Sequence, residues 1–315
     1  MKICEKIINC FCKIIILSLT IFFHSDISAQ QDFPVKYLDS ITEDENNDRL
    51  LFPSLVFIEP IRDEIYVISQ NKIILYTSDF FPVFTLTKKD GIENPYGLTV
   101  DDRGNLYIAQ GDTQHYPKHR ISVFNARLKW ERDIYLENFD GSDLFIPNNL
   151  AIDSNGNIYV TGSYFPGVIV INNQGKILDI MIVEEEGEKV KLDYATIDKT
   201  GNIYLVSEEK GHIYVYDKNR KFLYRFGDKG GCAGKLSRPQ AVSVDERTGM
   251  KYVVDYMRHT VLAYDANGKY LFEFGGLGWG EGWFQYPTNI AVDNKGRIFV
   301  ADTYNDRIQV FKPEG

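Results

Sequence analysis

Residues 287–311 read PTNIAVDNKGRIFVADTYNDRIQVF, and this stretch decides the fold. Asn289 to Val292 is short and almost continuously apolar, the signature of a strand covered on both faces. Asp293-Asn294-Lys295-Gly296 then supplies a side-chain acceptor and a residue tolerant of positive φ, which makes a hairpin turn. Ile298 to Ala301 is a second strand. Ile308-Gln309-Val310-Phe311 alternates between apolar and polar, and is a third.

The same pattern recurs upstream. PYGLTVDDRGNLYIA begins at Pro95, PNNLAIDSNGNIYVT at Pro147, LDYATIDKTGNIYLV at Leu192 and PQAVSVDERTGMKYVV at Pro239. Each places an acid at the same step, as Asp101, Asp153, Asp198 and Asp245, matching Asp293. A weaker copy, PSLVFIEPIRDEIYVI, begins at Pro53 and has Glu59 in that place. The copies lie roughly 40 to 50 residues apart, the length of a four-stranded propeller blade. A turn such as Asn267-Gly268 leads to the fourth, outer strand, Tyr270 to Phe274 in the fifth copy. The expectation is an all-β, six-bladed β-propeller of four-stranded antiparallel blades, one domain over residues 30–315. The last copy provides three strands, so its edge needs a partner. The extended segment Pro34-Val35-Lys36-Tyr37-Leu38 is predicted to pair with Arg307 to Phe311 and close the ring, with the acidic stretch 42–49 as a solvated connection into the first blade.

The last copy resembles the NHL-repeat family, whose pattern is a Pro-led inner strand, a D-x-x-G turn and then V-A-D-T-x-N-x-R-I-Q-V-F. FGDKGGCAGKLSRP (226–239) and FGGLGWGEGWFQYP (274–287) look like that family's Gly-rich linkers between blades. The resemblance implies a six-bladed propeller of the secreted bacterial type. It says little about chemistry, because this fold hosts enzymes and binding platforms alike.

Lys2, Lys6 and Lys13 precede the apolar run Ile14 to Phe23, and Ile27-Ser28-Ala29 follows it, the layout of a signal peptide over residues 1–29. The run is too short to span a bilayer, so no membrane span is expected after cleavage, and the destination is secreted or periplasmic. Cys4, Cys10 and Cys12 fall in the removed segment at positions unsuited to lipid attachment. Cys232 remains alone, which excludes an internal disulfide. With 35 Lys and Arg against 44 Asp and Glu, the formal charge is −9. An acidic chain without a basic run repels nucleic acid.

Propellers bind at the channel mouth, on the face carrying the inter-blade loops and the loops between second and third strands. The candidate ligand-binding residues on that face are Tyr96, Asn149, Tyr194, Gln240 and Asn289 at inner-strand starts, with Tyr116, Arg258 and His259 from the loops. Asp302 and Arg307 are expected to be a loop-stabilising pair. His115 and His119 are four apart, but Pro117 between them opposes a helix that would aim both at one metal. Trp279, Trp283 and Phe284 could stack on a sugar or peptide; packing over the junction of blades five and six is favoured. Cys232 has no base partner, so no catalytic residue is assigned.

Two enzyme families share the architecture that the resemblance implies. Amidating lyases hold zinc through inner-strand histidines, which this chain lacks. Gluconolactonase-like hydrolases hold a divalent cation through Glu, Asn and Asp. Asn149 and Asn289 could serve there, but Asp193 is the one carboxylate near an inner-strand start, a thin basis for calcium. The sequence therefore favours a non-catalytic, monomeric binding scaffold for a protein, peptide or glycan, with no cofactor. A metal-dependent hydrolase or lyase at the channel is the alternative. RNA binding of the kind known for NHL domains of tripartite-motif proteins is opposed by the leader and the charge.

Overall fold

The structure, a computed structural model, describes residues 34–314; the leader expected over residues 1–29 lies outside them. Six four-stranded antiparallel sheets form the blades. The inner strands are Pro53–Ile58, Pro95–Val100, Ile146–Ile152, Tyr194–Ile197, Pro239–Val244 and Asn289–Val292. Each is followed in sequence by the next three strands of its blade, except in the sixth. There Ile298–Asp302 and Arg307–Pro313 are joined on the outside by Val35–Ile41.

This closing strand runs antiparallel to the last one, from Val35 opposite Pro313 to Ile41 opposite Ile308, with an irregularity between Tyr37 and Asp39. It reaches three residues further than its apolar sequence indicated. Val35 and Ile41 are buried. Tyr37 stands edge-on to Phe311 at 6.0 Å.

The repeated acid makes each first hairpin. Asp101 Oδ1 accepts the N–H groups of Arg103 (3.0 Å) and Asn105 (2.7 Å). Asp153, Asp198 and Asp293 repeat the arrangement two and four residues on. Glu59 in the divergent first copy accepts from Ile61 and Arg62, so its longer side chain serves the same turn.

The core lies between blades rather than at the centre. One cluster joins Val67 and Ile74 of blade one to Phe299 and Val310 of blade six. Another joins Ile121 and Val123 of blade two to Val160 and Ile169 of blade three. Phe274, Phe284 and Phe311 pack together at the junction of blades five and six, with Phe274 and Phe311 centred 5.2 Å apart. Outer strands such as Phe222–Phe226 are largely exposed.

Two local features depart from expectation. The stretch 42–49 is not simply solvated: Asp44 is buried, accepts the N–H groups of Asn46 and Asp48, and pairs with Lys72 at 2.7 Å. The linker into blade four also folds into a small hairpin, Glu184–Glu185 with Glu188–Lys189. Its Glu185 accepts the Tyr214 hydroxyl and lies 3.1 Å from His212 Nδ1.

Candidate functional site

The residue after the first position of each copy reaches the upper mouth of the channel: Ser54, Tyr96, Asn148, Asp193, Gln240 and Thr288 line a recess of about 410 Å³. Leu55, Asn149, Tyr194 and Asn289, one residue further along, also line the recess, and Gly97 and Ala241 hold the same place in their copies. Gly97 is required there, because a Cβ would collide with the Asn148 carbonyl of the neighbouring blade. Leu55, Asn149 and Tyr194 also border a second cavity of about 470 Å³, so this level is the waist between two compartments.

The asparagines at the waist are partly committed to the fold. Asn149 Oδ1 accepts the Ala195 N–H at 2.8 Å, and Asn289 Oδ1 accepts the Val56 N–H at 3.1 Å. Tyr194 is pushed up to about 12 by burial, against a hydrogen bond with the Asn289 side chain that favours its phenolate. It stays a neutral phenol at physiological pH.

At the mouth itself, Asn148 Nδ2 donates to Ser163 Oγ (2.9 Å) and Gln240 Nε2 donates to Glu208 Oε2 (2.7 Å). Asn94 Nδ2 donates to the Tyr96 hydroxyl (3.0 Å). The carboxylate of Asp193 pairs with Lys191 at 2.7 Å and accepts the Glu208 N–H. The set is therefore neutral amides and hydroxyls around one compensated carboxylate.

The lower compartment is different in kind. Ile58, Val100, Ile152, Ile197, Val244 and Val292 are among its walls. Its exit is crossed by a polar strap in which Lys199 Nζ donates to Asn294 Oδ1 (2.6 Å) and Asn294 Nδ2 donates to Asp63 Oδ1 (2.8 Å). Those rim groups satisfy one another, whereas the upper mouth presents several amides and hydroxyls together. The upper mouth is accordingly the candidate site, although the lower cavity is the larger.

The structure brings five of the eight sequence candidates together: Tyr96, Asn149, Tyr194, Gln240 and Asn289. The other three are used elsewhere. Tyr116 lies beneath Arg120, whose guanidinium carbon sits 3.7 Å from the ring centroid. Arg258 Nη2 donates to both carboxylate oxygens of Glu273 (2.6 and 2.7 Å), while Nη1 donates to the Cys232 carbonyl. His259 is buried and its Nδ1 accepts the Tyr286 N–H. Their loops reach the predicted face but their side chains turn into the protein. Asp302 and Arg307 pair at 2.8 Å, with Asp302 fully buried.

Sequence reasoning missed Ser54, Asn148, Ser163 and Thr288 as mouth residues. The signal was available for Ser54, Asn148 and Thr288, each directly after the copy's opening Pro. His115 and His119 do not converge: the first faces Glu93 (3.4 Å), and the second accepts the Asp112 N–H (2.9 Å). Among the described residues no group of three or more His, Cys, Asp and Glu is arranged to hold a metal ion, and no helix is long and apolar enough to cross a membrane.

Residues 284–311 match the NHL repeat, and residues 135–163 match a beta-propeller repeat. No curated protein sequence matches the chain. Among solved structures, an auxiliary nutrient binding protein from Bacteroides ovatus is similar at TM-score 0.66 and 18% identity, over 89% of this chain and 78% of that one. A streptogramin B lyase is similar at TM-score 0.59 and 14% identity, over 82% and 78%. A catalytically inactive histidine-to-alanine variant of virginiamycin B lyase from Staphylococcus aureus, solved with quinupristin, is similar at TM-score 0.57 and 16% identity, over 82% and 79%. At such identities the likeness concerns the fold, and it spans binding proteins and enzymes.

Proposed function

We propose that this six-bladed β-propeller, with an NHL repeat at residues 284–311, is a non-catalytic binding scaffold that holds a neutral, hydrogen-bonding ligand at the upper channel mouth. One observation carries this reading: the polar groups converging there are amides and hydroxyls, and the one carboxylate among them, Asp193, is already compensated by Lys191. Among the described residues, the amide oxygens of Asn148 and Gln240 are left without a protein donor, while their nitrogens are held by Ser163 and Glu208. Such half-committed amides are oriented in advance, which lowers the entropic cost of ligand binding. The waist below sets the depth that a ligand reaches.

The expected setting is outside the cytoplasm, with the closed ring acting as a monomer and without nucleic acid as a partner. The nutrient-binding relative supports the reading by analogy of fold alone. The lyases keep a catalytic reading in view, but no histidine is among the described residues that line the mouth. A hydrolase of the divalent-metal type would instead have to recruit Asn149 and Asn289, whose oxygens already cap backbone N–H groups.

Two measurements on the purified protein decide between these. Elemental mass spectrometry without chelators should find no stoichiometric calcium or zinc. Thermal-shift screening against neutral oligosaccharides and uncharged peptides should find a stabilising ligand whose effect is lost in Gln240→Ala. Near-stoichiometric metal, released by substitution of Asn149 or Asn289, would replace the scaffold with the enzyme reading.

A further inference from the structure

Beside the mouth, four separate segments bring four aromatic rings into one arc. Phe52 precedes the first inner strand, Tyr304 lies in a loop of blade six, Tyr286 lies in the linker before blade six, and Tyr256 lies in a loop of blade five. Successive ring centroids are 5.6, 5.2 and 4.9 Å apart, and the Arg238 guanidinium carbon stands 5.7 Å from the Tyr256 centroid at the far end. Arg238 in turn pairs with Glu208, which also holds Gln240 of the mouth. The arc is thus continuous with the recess. Apolar rings are usually buried on folding, yet Phe52 is 47% exposed and Tyr304 50% exposed.

The backbone is arranged to keep these rings where they are. Phe52 and Tyr286 both have positive φ, 47° and 51°, immediately before a proline. Bulky residues in the left-handed region are strained, and such strain persists only where surrounding contacts enforce it. Those contacts are present: Asp306 Oδ1 accepts the Phe52 N–H at 2.8 Å, and His259 Nδ1 accepts the Tyr286 N–H at 2.9 Å. The Gln285 amide, oriented to satisfy both neighbours, donates to the Tyr304 carbonyl (3.1 Å) and accepts from Trp279 Nε1 (3.0 Å), with Trp279 itself 77% exposed.

Resting on the mouth reading above, we propose that this arc is the stacking part of the same site and that its ligand is a neutral glycan chain. The rings meet edge-on at Phe52–Tyr304 (79°) and Tyr286–Tyr304 (64°) and tilted at Tyr256–Tyr286 (38°), so the end of the chain enters the mouth, the exposed Tyr304 and Phe52 offer the stacking surfaces, and Tyr256 and Tyr286 brace them. Sugars present apolar C–H faces to aromatic rings and hydroxyls that both donate and accept. That matches the amide oxygens of Asn148 and Gln240, whose nitrogens are already held by Ser163 and Glu208. A proline-rich peptide would also stack on tyrosines, but proline has no N–H to offer the amide oxygens of Asn148 and Gln240, which would be covered without gaining a donor. The arc is electrically neutral along its rings, which suits an uncharged chain.

The test is affinity electrophoresis of the full protein in gels containing starch, xylan, galactomannan or mixed-linkage β-glucan, followed by calorimetry with oligosaccharides of the retained polymer. Tyr304→Ala and Phe52→Ala should each weaken binding of the long oligosaccharide by about tenfold, the scale of a lost aromatic contact. Tyr304→Phe and Phe52→Tyr, which keep the rings, should bind like the parent. The disaccharide should be affected by Gln240→Ala and not by the arc variants. Long-chain binding that survives both alanine variants would overturn the arc while leaving the mouth intact. Failure of every polymer, or arc-dependent binding of polyproline instead, would overturn the glycan assignment. Loss of Gln240 dependence with the arc still required would sink the mouth reading alone.

Discussion

His259 Nδ1 accepts the backbone N–H of Tyr286 at 2.9 Å, and the two rings are centred 4.5 Å apart. The imidazole must therefore be unprotonated at Nδ1. Burial pushes its pKa below the ordinary histidine value, against the pull of Asp255 and Asp302 towards the charged form. The unfolded chain then takes up a proton before the folded one does. Stability should fall as pH drops from about 6.5 towards the folded value and level off below it. Thermal melts from pH 8 to 5 should show this loss in the parent and not in His259→Asn, because asparagine tolerates the positive φ of 56° at this position. Equal pH profiles for the two proteins would mean that His259 does not carry the dependence. Tyr286 stands in the aromatic arc, so glycan retention should weaken over the same interval.

The blades were legible in the sequence because each repeats one physical device, an acid whose oxygen gathers the N–H groups of a hairpin. Even Glu59 obeys it. The mouth was half legible: Tyr96 and Gln240 follow from the register, but the register does not say which way a loop side chain turns. Arg258 and His259 are in the right loop and point inward, towards Glu273 and the Tyr286 N–H. The arc was not legible at all. Phe52 and Tyr286 share one place in the repeat, directly before the opening Pro, but Tyr256 and Tyr304 do not, and only ring closure brings Phe52 beside Tyr304.

Asn149 and Asn289 belong to blades three and six, opposite one another in the ring, and each caps the inner strand of the following blade. Asn149→Ala should leave the Ala195 N–H buried without a partner, and Asn289→Ala the Val56 N–H. Each should cost about 1–3 kcal/mol in urea unfolding. Asn289 also bonds Tyr194, next to the Ala195 that Asn149 holds, so the departure of the double variant from the combined amount measures the coupling across the waist. A loss below about 0.5 kcal/mol for either would mean that water replaces the amide.

Arg258→Ala removes a bidentate pair with Glu273 and a bond to the Cys232 carbonyl. Charge-assisted bonds of this kind contribute about 1.5–3 kcal/mol, so the variant should unfold at lower urea while keeping its ligand affinity. Tyr116→Ala should likewise leave the affinity unchanged, because that ring serves as a platform for the buried Arg120. Reduced affinity at unchanged stability in either variant would return that residue to the binding face.

Closure of the ring gives the largest expected effect. Removing residues 30–42 takes away the strand Val35–Ile41 and bares the edge of Arg307–Pro313. It also exposes Ile308 and Val310, which belong to the core between blades six and one alongside Ile41. Val35 and Ile41 are both nearly fully buried, and truncating a single such aliphatic residue already costs about 2–5 kcal/mol. The deletion should therefore lower the melting temperature by more than about 10 °C and promote association through the unpaired edge. Ile41→Ala is the milder control: it should lower stability while the protein stays monomeric by light scattering, because the backbone pairing survives. A deletion variant that melts within a degree or two of the parent would show that the sixth blade is stable with three strands.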